Sequence, residues 1–166
     1  MNTGFRTVVQ RLVVRAAPAS VLAVGTDCAM FDAYLADHPQ CRFECIRDSD
    51  IIARIDECAM VDLALVSGVL ERLDKQVAGM LVARLRDLHA RHVLIAVPIG
   101  PHWSGHRSHW EPTDLIALGM VRIGRFGSAE RPLHLYTYDL HDYKPTPDWL
   151  NARHWANPEL FDKFWW

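Results

Sequence analysis

Three groups of residues in this 166-residue chain have the types and spacing to do chemistry. The first lies in SVLAVGTDCAMF, Ser20 to Phe31, an apolar run halted by Gly25. A nucleotide-binding strand ends in such a turn because a residue without a Cβ lets backbone N–H groups approach a ligand. Asp27 and Ala29 occupy the next alternate positions, where further glycines would widen that approach. The second group follows two other apolar runs: Asp48 and Asp50 after CRFECI, Ser67 and Glu71 after VDLALVS. Side chains at strand ends open onto the crevice of an α/β sheet. Each also has a structural reading, in which Asp48 or Asp50 caps the helix DIIARI, Ser67 caps the helix after it, and Glu71 balances that helix's N-terminal dipole.

The third group is PHWSGHRSHW, with His102, His106 and His109. Spacings of four and three bring imidazoles onto one metal when a loop folds as a turn of helix, and Glu111 would complete the set. A polar, aromatic lid for a substrate or partner is the preferred reading, and no metal is assigned. His134, Tyr136 and Tyr138 alternate with Leu133 and Leu135, and packing beneath the C-terminal tail is preferred for that face over ligand binding. There is no GxSxG nucleophile elbow and no GxxxxGK phosphate loop.

The elements that must hold these residues follow from periodicity. Phe5, Val8, Val9, Leu12 and Val13 recur at helical spacing up to Pro18. SVLAV, VDLALVS and HVLIAVP read as strands buried on both faces of a parallel sheet, and CRFECI as a strand of alternating period. Cys28 to Ala36 and DIIARIDEC are short helices. GVLERLDKQVAGMLVARLRDLHA reads as one long helix with Leu70, Leu73, Val77, Leu81, Leu85 and Leu88 inward. A helix opened by Thr113 and closed by Gly119 then leads to an antiparallel hairpin, VRIGRF and LHLYTYDL around GSAERP. The fold class is α/β, a mostly parallel sheet with an antiparallel C-terminal hairpin, in one domain over residues 1–166.

Composition narrows the function classes. Eighteen basic against twenty acidic residues, without basic blocks, give a net charge of −2 and no nucleic-acid footprint. Arg6, Arg11 and Arg15 interrupt the apolar start, and no segment is long enough for a membrane span, so a cytoplasmic protein is expected. Cys28, Cys41, Cys45 and Cys58 include no CxxC pair and are expected as reduced core thiols. Trp149, Trp155, Trp165 and Trp166 make the tail, about residues 141–166, too aromatic for a free end. It either folds back on the sheet or joins another subunit as a homodimer contact.

Read in order, SVLAVG, VDLALVSGVLERL, RLRDLHARHVLIAVP and DLIALGMVRIGRF resemble strands one, four and five, and the approach to the reversed last strand, of a class I S-adenosylmethionine-dependent methyltransferase. The resemblance covers about Val13 to Leu140 and implies a Rossmann-like sheet. The tail YKPTPDWLNARHWANPE resembles a small bacterial family of methyltransferase-like proteins that carries no established activity. The resemblance implies cofactor contacts at Gly25, Asp27, Asp48 and Ser67, with Asp48, or Asp50 in reserve, holding the ribose hydroxyls. Ser67, Glu71 and His102 would border the methyl acceptor. Ala23, Asp27 and Ala29 depart from the family's acid and glycines. Asp27 also sets a negative charge near the methionyl carboxylate, costing ~1 kcal/mol in water and ~4 kcal/mol where partly shielded at about 4 Å. Between Asp48 and Asp62 there is room for a short helix but not for the usual third strand. The implied function is therefore a methyltransferase-like protein with a degenerate S-adenosylmethionine site, weakly active or inactive. The alternative is a non-catalytic scaffold for a protein partner.

Overall fold

The computed structural model describes residues 3–25, 28–47 and 50–140. Its elements run α1 (Thr3–Ala16), β1 (Ser20–Gly25), a 3-10 turn (Cys28–Phe31), α2 (Asp32–Asp37), β2 (Arg42–Ile46), α3 (Ile51–Asp56) and β3 (Val61–Ser67). A second 3-10 turn (Leu70–Arg72), α4 (Lys75–Arg84), a π turn (Leu85–His89), β4 (Ala90–Pro98), α5 (Pro112–Ala117), β5 (Val121–Gly127) and β6 (Pro132–Asp139) complete it.

The strands form one sheet in the order β2-β1-β3-β4-β6-β5. The first four are parallel, while β6 runs antiparallel to both β4 and β5. Among the described residues only α3 lies between β2 and β3, so β2 is an edge, as the short Asp48–Asp62 interval requires.

Because side chains alternate across a strand, each apolar run feeds two cores. Leu22, Val24, Ala64, Val66, Val93, Ile95 and Tyr136 pack with Ile55, Leu81, Leu85 and Leu115 from α3, the α4 segment and α5. Val21, Ala23, Leu63, Leu65, Leu94 and Leu135 pack on the other face with Phe5, Val9 and Val13 of α1 and with Phe31. Phe5 meets Phe126 of β5 edge-on at 5.6 Å between centroids. At the amino end of the sheet Asp62 Oδ2 accepts three hydrogen bonds, from the Ala19 and Ser20 amides and the Ser20 hydroxyl, each 3.0 Å.

Three expectations need correction. The long helix is interrupted: Leu73 is extended (φ −90°, ψ 160°), α4 starts only at Lys75, and the π turn rotates its end. Leu88 consequently points outward at 58% exposure while His89 turns in, bonded through Nδ1 to the Cys58 carbonyl oxygen at 3.0 Å. The N-cap of α5 is Glu111, in a reciprocal capping box with Asp114, and Thr113 is already inside the helix. Lastly, Cys28 and Cys45 form a disulfide, whereas Cys41 and Cys58 are free. Register pairs Cys45 of β2 with Ala23 of β1, and Cys28, three residues past Gly25, returns over the same face, so the two sulfurs meet. His134, Tyr136 and Tyr138 alternate along β6, and Tyr136 and Tyr138 join the core to which α5 and the α4 segment contribute.

Candidate functional site

The carboxyl ends of β1, β3 and β4 come together in register, Gly25 opposite Ser67 and Ser67 opposite Ala96. Gly25 has φ +108°, and a Cβ built on it would overlap the Ser67 carbonyl oxygen and lie 3.3 Å from Val69 Cβ. Glycine is thus required here by the approach of two strand ends, whatever binds above them. Ser67 is the last residue of β3, 6% exposed, and caps no helix, because the cap positions of the next two helical segments are held by Val69 and Asp74.

Glu71 sits in the 3-10 turn and is 7% exposed. Its backbone carbonyl oxygen accepts the amides of Arg107 (2.8 Å) and Ser108 (3.2 Å), which ties the histidine-bearing loop to the end of β3. The Ser108 hydroxyl donates to the Leu70 carbonyl at 3.0 Å, and Trp110 Nε1–H donates to that hydroxyl at 3.1 Å. Lys75 supplies a second anchor: Nζ donates to the His109 carbonyl (3.1 Å) and to Asp114 Oδ2 (2.6 Å), and lies 5.4 Å from the Trp110 ring centroid. Burial acts to raise the Asp114 pKa, but the Lys75 bond and the Glu111 amide outweigh it and hold that carboxyl below its usual range.

Within the anchored loop His102 and His109 are exposed, and Trp103 stacks on His106 at 5.4 Å with 9° between planes. Trp103 Nε1–H donates to the Ile99 carbonyl oxygen at 3.0 Å. His106 and His109 lie 6.3 Å apart between ring centroids. Among the described residues no three His, Cys, Asp or Glu side chains converge as metal ligands, and the Glu111 side chain is engaged in capping α5. The structure therefore brings Gly25, Ser67 and Glu71 to one edge and sets His102 on the loop docked there. Asp27 and Asp48 lie outside the described residues, as does the tail 141–166. Asp50 is the residue before α3, without a side-chain capping bond.

Sequence reasoning missed Lys75, Arg107 and Ser108, whose contacts cross more than thirty positions. It also missed how deeply His134 is set, at 4% exposure, with Nδ1 3.3 Å from the Tyr136 hydroxyl. Burial, then Arg122 and Arg125, lower the His134 pKa; burial chiefly raises that of Tyr136, against the opposing charge of Arg122.

Part of what the adenosyl ligand implied by the resemblance needs is present among the described residues. β1 and β3 end as a closely approached pair, and β1 stops at a residue with no side chain. The acids that the resemblance sets against the ribose hydroxyls, Asp48 and Asp50, follow β2 in the sequence. The acid that family members carry in β1 is replaced by Ala23, which is buried and packed.

Solved methyltransferases share this fold in outline. Magnesium protoporphyrin IX methyltransferase from Synechocystis PCC 6803, with bound SAH, superposes with a TM-score of 0.58 at 10% identity over 81% of each chain. The methyltransferase domain of bacterial CtHen1 gives 0.57 at 14% identity, over 80% of this chain and 97% of that one. The Burkholderia thailandensis 1,6-didemethyltoxoflavin-N1-methyltransferase, with 1,6-didemethyltoxoflavin and S-adenosylhomocysteine, gives 0.55 at 17%, over 83% and 79%. At these identities the likeness is one of fold. Sequence comparison finds no match among curated proteins. The match that extends over nearly the whole sequence, residues 4–166, is to DUF6231, a family of unknown function, and the chain belongs to that family.

Proposed function

We propose that the chain is a single-domain methyltransferase-like protein with a reduced S-adenosylmethionine site, weakly active or inactive in methyl transfer. The observation that carries this reading is the parallel β2-β1-β3-β4 sheet with Gly25 and Ser67 side by side at its carboxyl edge. That is the edge at which open α/β sheets bind ligands. In this reading Gly25, Asp27, Asp48 and Ser67 contact the cofactor, and Ser67, Glu71 and His102 border the acceptor. Bound S-adenosylmethionine would supply an electrophilic methyl group. The chain's own residues would contribute position, since a rigid loop fixed to β3 through Glu71 and Leu70 limits where an acceptor can sit.

Titration calorimetry with S-adenosylmethionine and S-adenosylhomocysteine tests it. Micromolar affinity that is lost in Asp48→Ala supports the proposal, and no heat up to millimolar ligand overturns it. In that case the second reading holds, a scaffold that uses the same fold to bind a protein. Its support is that Gly25 and the Glu71 carbonyl are both committed to the fold's own contacts.

No helix among the described residues is long and apolar enough to cross a membrane. A cytoplasmic location and a homodimer contact through residues 141–166 form part of the proposal, with native mass measurement as the check on the dimer.

A further inference from the structure

We infer that Cys28 and Cys45 form a thiol–disulfide switch that fastens the segment after β1 to edge strand β2. The two cysteines are seventeen positions apart and belong to elements that border the crevice. Among the described residues β2 has a neighbouring strand on one side only, and four of its five residues are exposed or half-buried. Its position against the first 3-10 turn depends on the bond and on Phe43, whose ring lies 5.7 Å from that of Phe31.

The bond is open to exchange. A surface hollow of about 470 Å³ is lined by Cys28, Ala29, Asp32, Phe43, Cys45 and Arg47. Cys28 is 4% exposed and Cys45 half-buried, so an incoming thiolate meets the Cys45 sulfur. Arg47 gives the hollow a positive charge that favours thiolates, opposed by Asp32. The other two thiols make poor competitors. Cys41 Sγ is buried 3.3 Å from the Pro18 carbonyl oxygen, and Cys58 Sγ donates to the Arg54 carbonyl at 3.2 Å.

The step needs a dithiol reductant, of protein or small-molecule class. Its thiolate attacks Cys45 Sγ, the S–S bond breaks, and Cys28 leaves with the electron pair and takes a proton from water. The reductant's second thiol, as thiolate, then displaces Cys45, which is protonated in turn. The protein disulfide gains two electrons and two protons, and the dithiol becomes a disulfide. In a reducing compartment a bond of this kind is transient and reports redox state.

The test uses the full wild-type chain with and without millimolar dithiothreitol. Digestion without reductant should yield one linked pair, Cys28 with Cys45, which native-state reduction removes. Amide exchange over Cys28–Phe31 and Arg42–Ile46 should then rise about tenfold or more while β3 and β4 stay protected. Affinity for S-adenosylhomocysteine should weaken by about tenfold, since the bond pre-organises one wall of the crevice; this last arm rests on the function proposed above. The double variant Cys28→Ser, Cys45→Ser should exchange like the reduced protein and ignore dithiothreitol. An unlinked pair in air, a bond that resists dithiothreitol in the folded protein, or unchanged exchange after reduction overturns the switch. Faster exchange with no ligand binding in either state supports the switch and removes the adenosyl reading alone.

Discussion

Gly25→Ala separates what the fold needs from what a ligand needs. At φ +108° a side chain is strained by ~2 kcal/mol. The added Cβ also overlaps a backbone atom, the Ser67 carbonyl oxygen, which cannot rotate away without moving the end of β3. Forcing such a shift in a packed region costs a further ~1–3 kcal/mol, for a total of about 3–5 kcal/mol. Against the usual 5–15 kcal/mol of a folded domain this is a large fraction, and at this chain length it lowers Tm by about 6–20 °C. Gly79→Ala is the control, because that glycine is in α4 with nothing within 4 Å of a built Cβ. There alanine should raise stability by ~0.5–1 kcal/mol through helix propensity. Differential scanning calorimetry of both variants, each without ligand, reads the two signs directly. A Gly25→Ala protein that melts within about 2 °C of wild type would refute the claim that Ser67 dictates this glycine, and would return it to the ligand.

Three further outcomes follow from polar and titratable side chains. Asp62→Ala removes the acceptor of the part-buried Ser20 amide and the exposed Ala19 amide and should cost ~1–2 kcal/mol in urea unfolding, with Asp62→Asn, which keeps one acceptor oxygen, costing about half. His134 has a folded pKa below its ordinary 6.5, so the unfolded chain binds the proton more readily. Stability is therefore complete above pH ~6.5 and falls as pH drops toward the folded value; Tm measured from pH 8 to 5 should decline in wild type and flatten in His134→Gln. Burial, then Glu44, push the Cys58 thiol up to about 11, and burial, then Asp62, raise that of Cys41. At neutral pH the native protein should therefore take up iodoacetamide slowly, whereas mass spectrometry after denaturation should count two labels without reductant and four with it.

Three of the four parallel strands, β1, β3 and β4, were legible because each carries an uninterrupted apolar run, and a strand covered on both faces leaves that signature; β2 was legible from its alternation instead. Among the described residues no strand lies between β2 and β3, which was legible from the short interval between Asp48 and Asp62. The long helix was misread for a physical reason: a leucine stripe continues through Leu73 and Leu88 although the backbone is extended at one and π-wound near the other. Local hydrogen bonding decides such breaks, and periodicity does not record it. The disulfide was hidden because it depends on the register of Cys45 with Ala23, which no local pattern encodes. Gly25, Ser67 and Glu71 could be placed at one edge from the strand ends. The anchoring of the loop to Glu71 through main-chain atoms, by contrast, leaves no trace in residue type.

Among the described residues no strand pairs with the outer margin of β2 or of β5, which has consequences for colloidal behaviour. β2 and β5 each present an outer ladder of amides and carbonyls, a template on which a stranger's strand could dock. Charge guards both. Arg42 reaches the Met60 carbonyl at 3.1 Å and Glu44 lies 3.6 Å from Arg54 on one side, while Arg122 and Arg125 stand exposed on the other. The register slip between Arg122 and Gly124 twists β5 out of the flat geometry that polymerising strands share. Neutralising these arginines would leave Val121 and Ile123, already 62% and 41% exposed, as an unguarded seed for fibrous self-assembly.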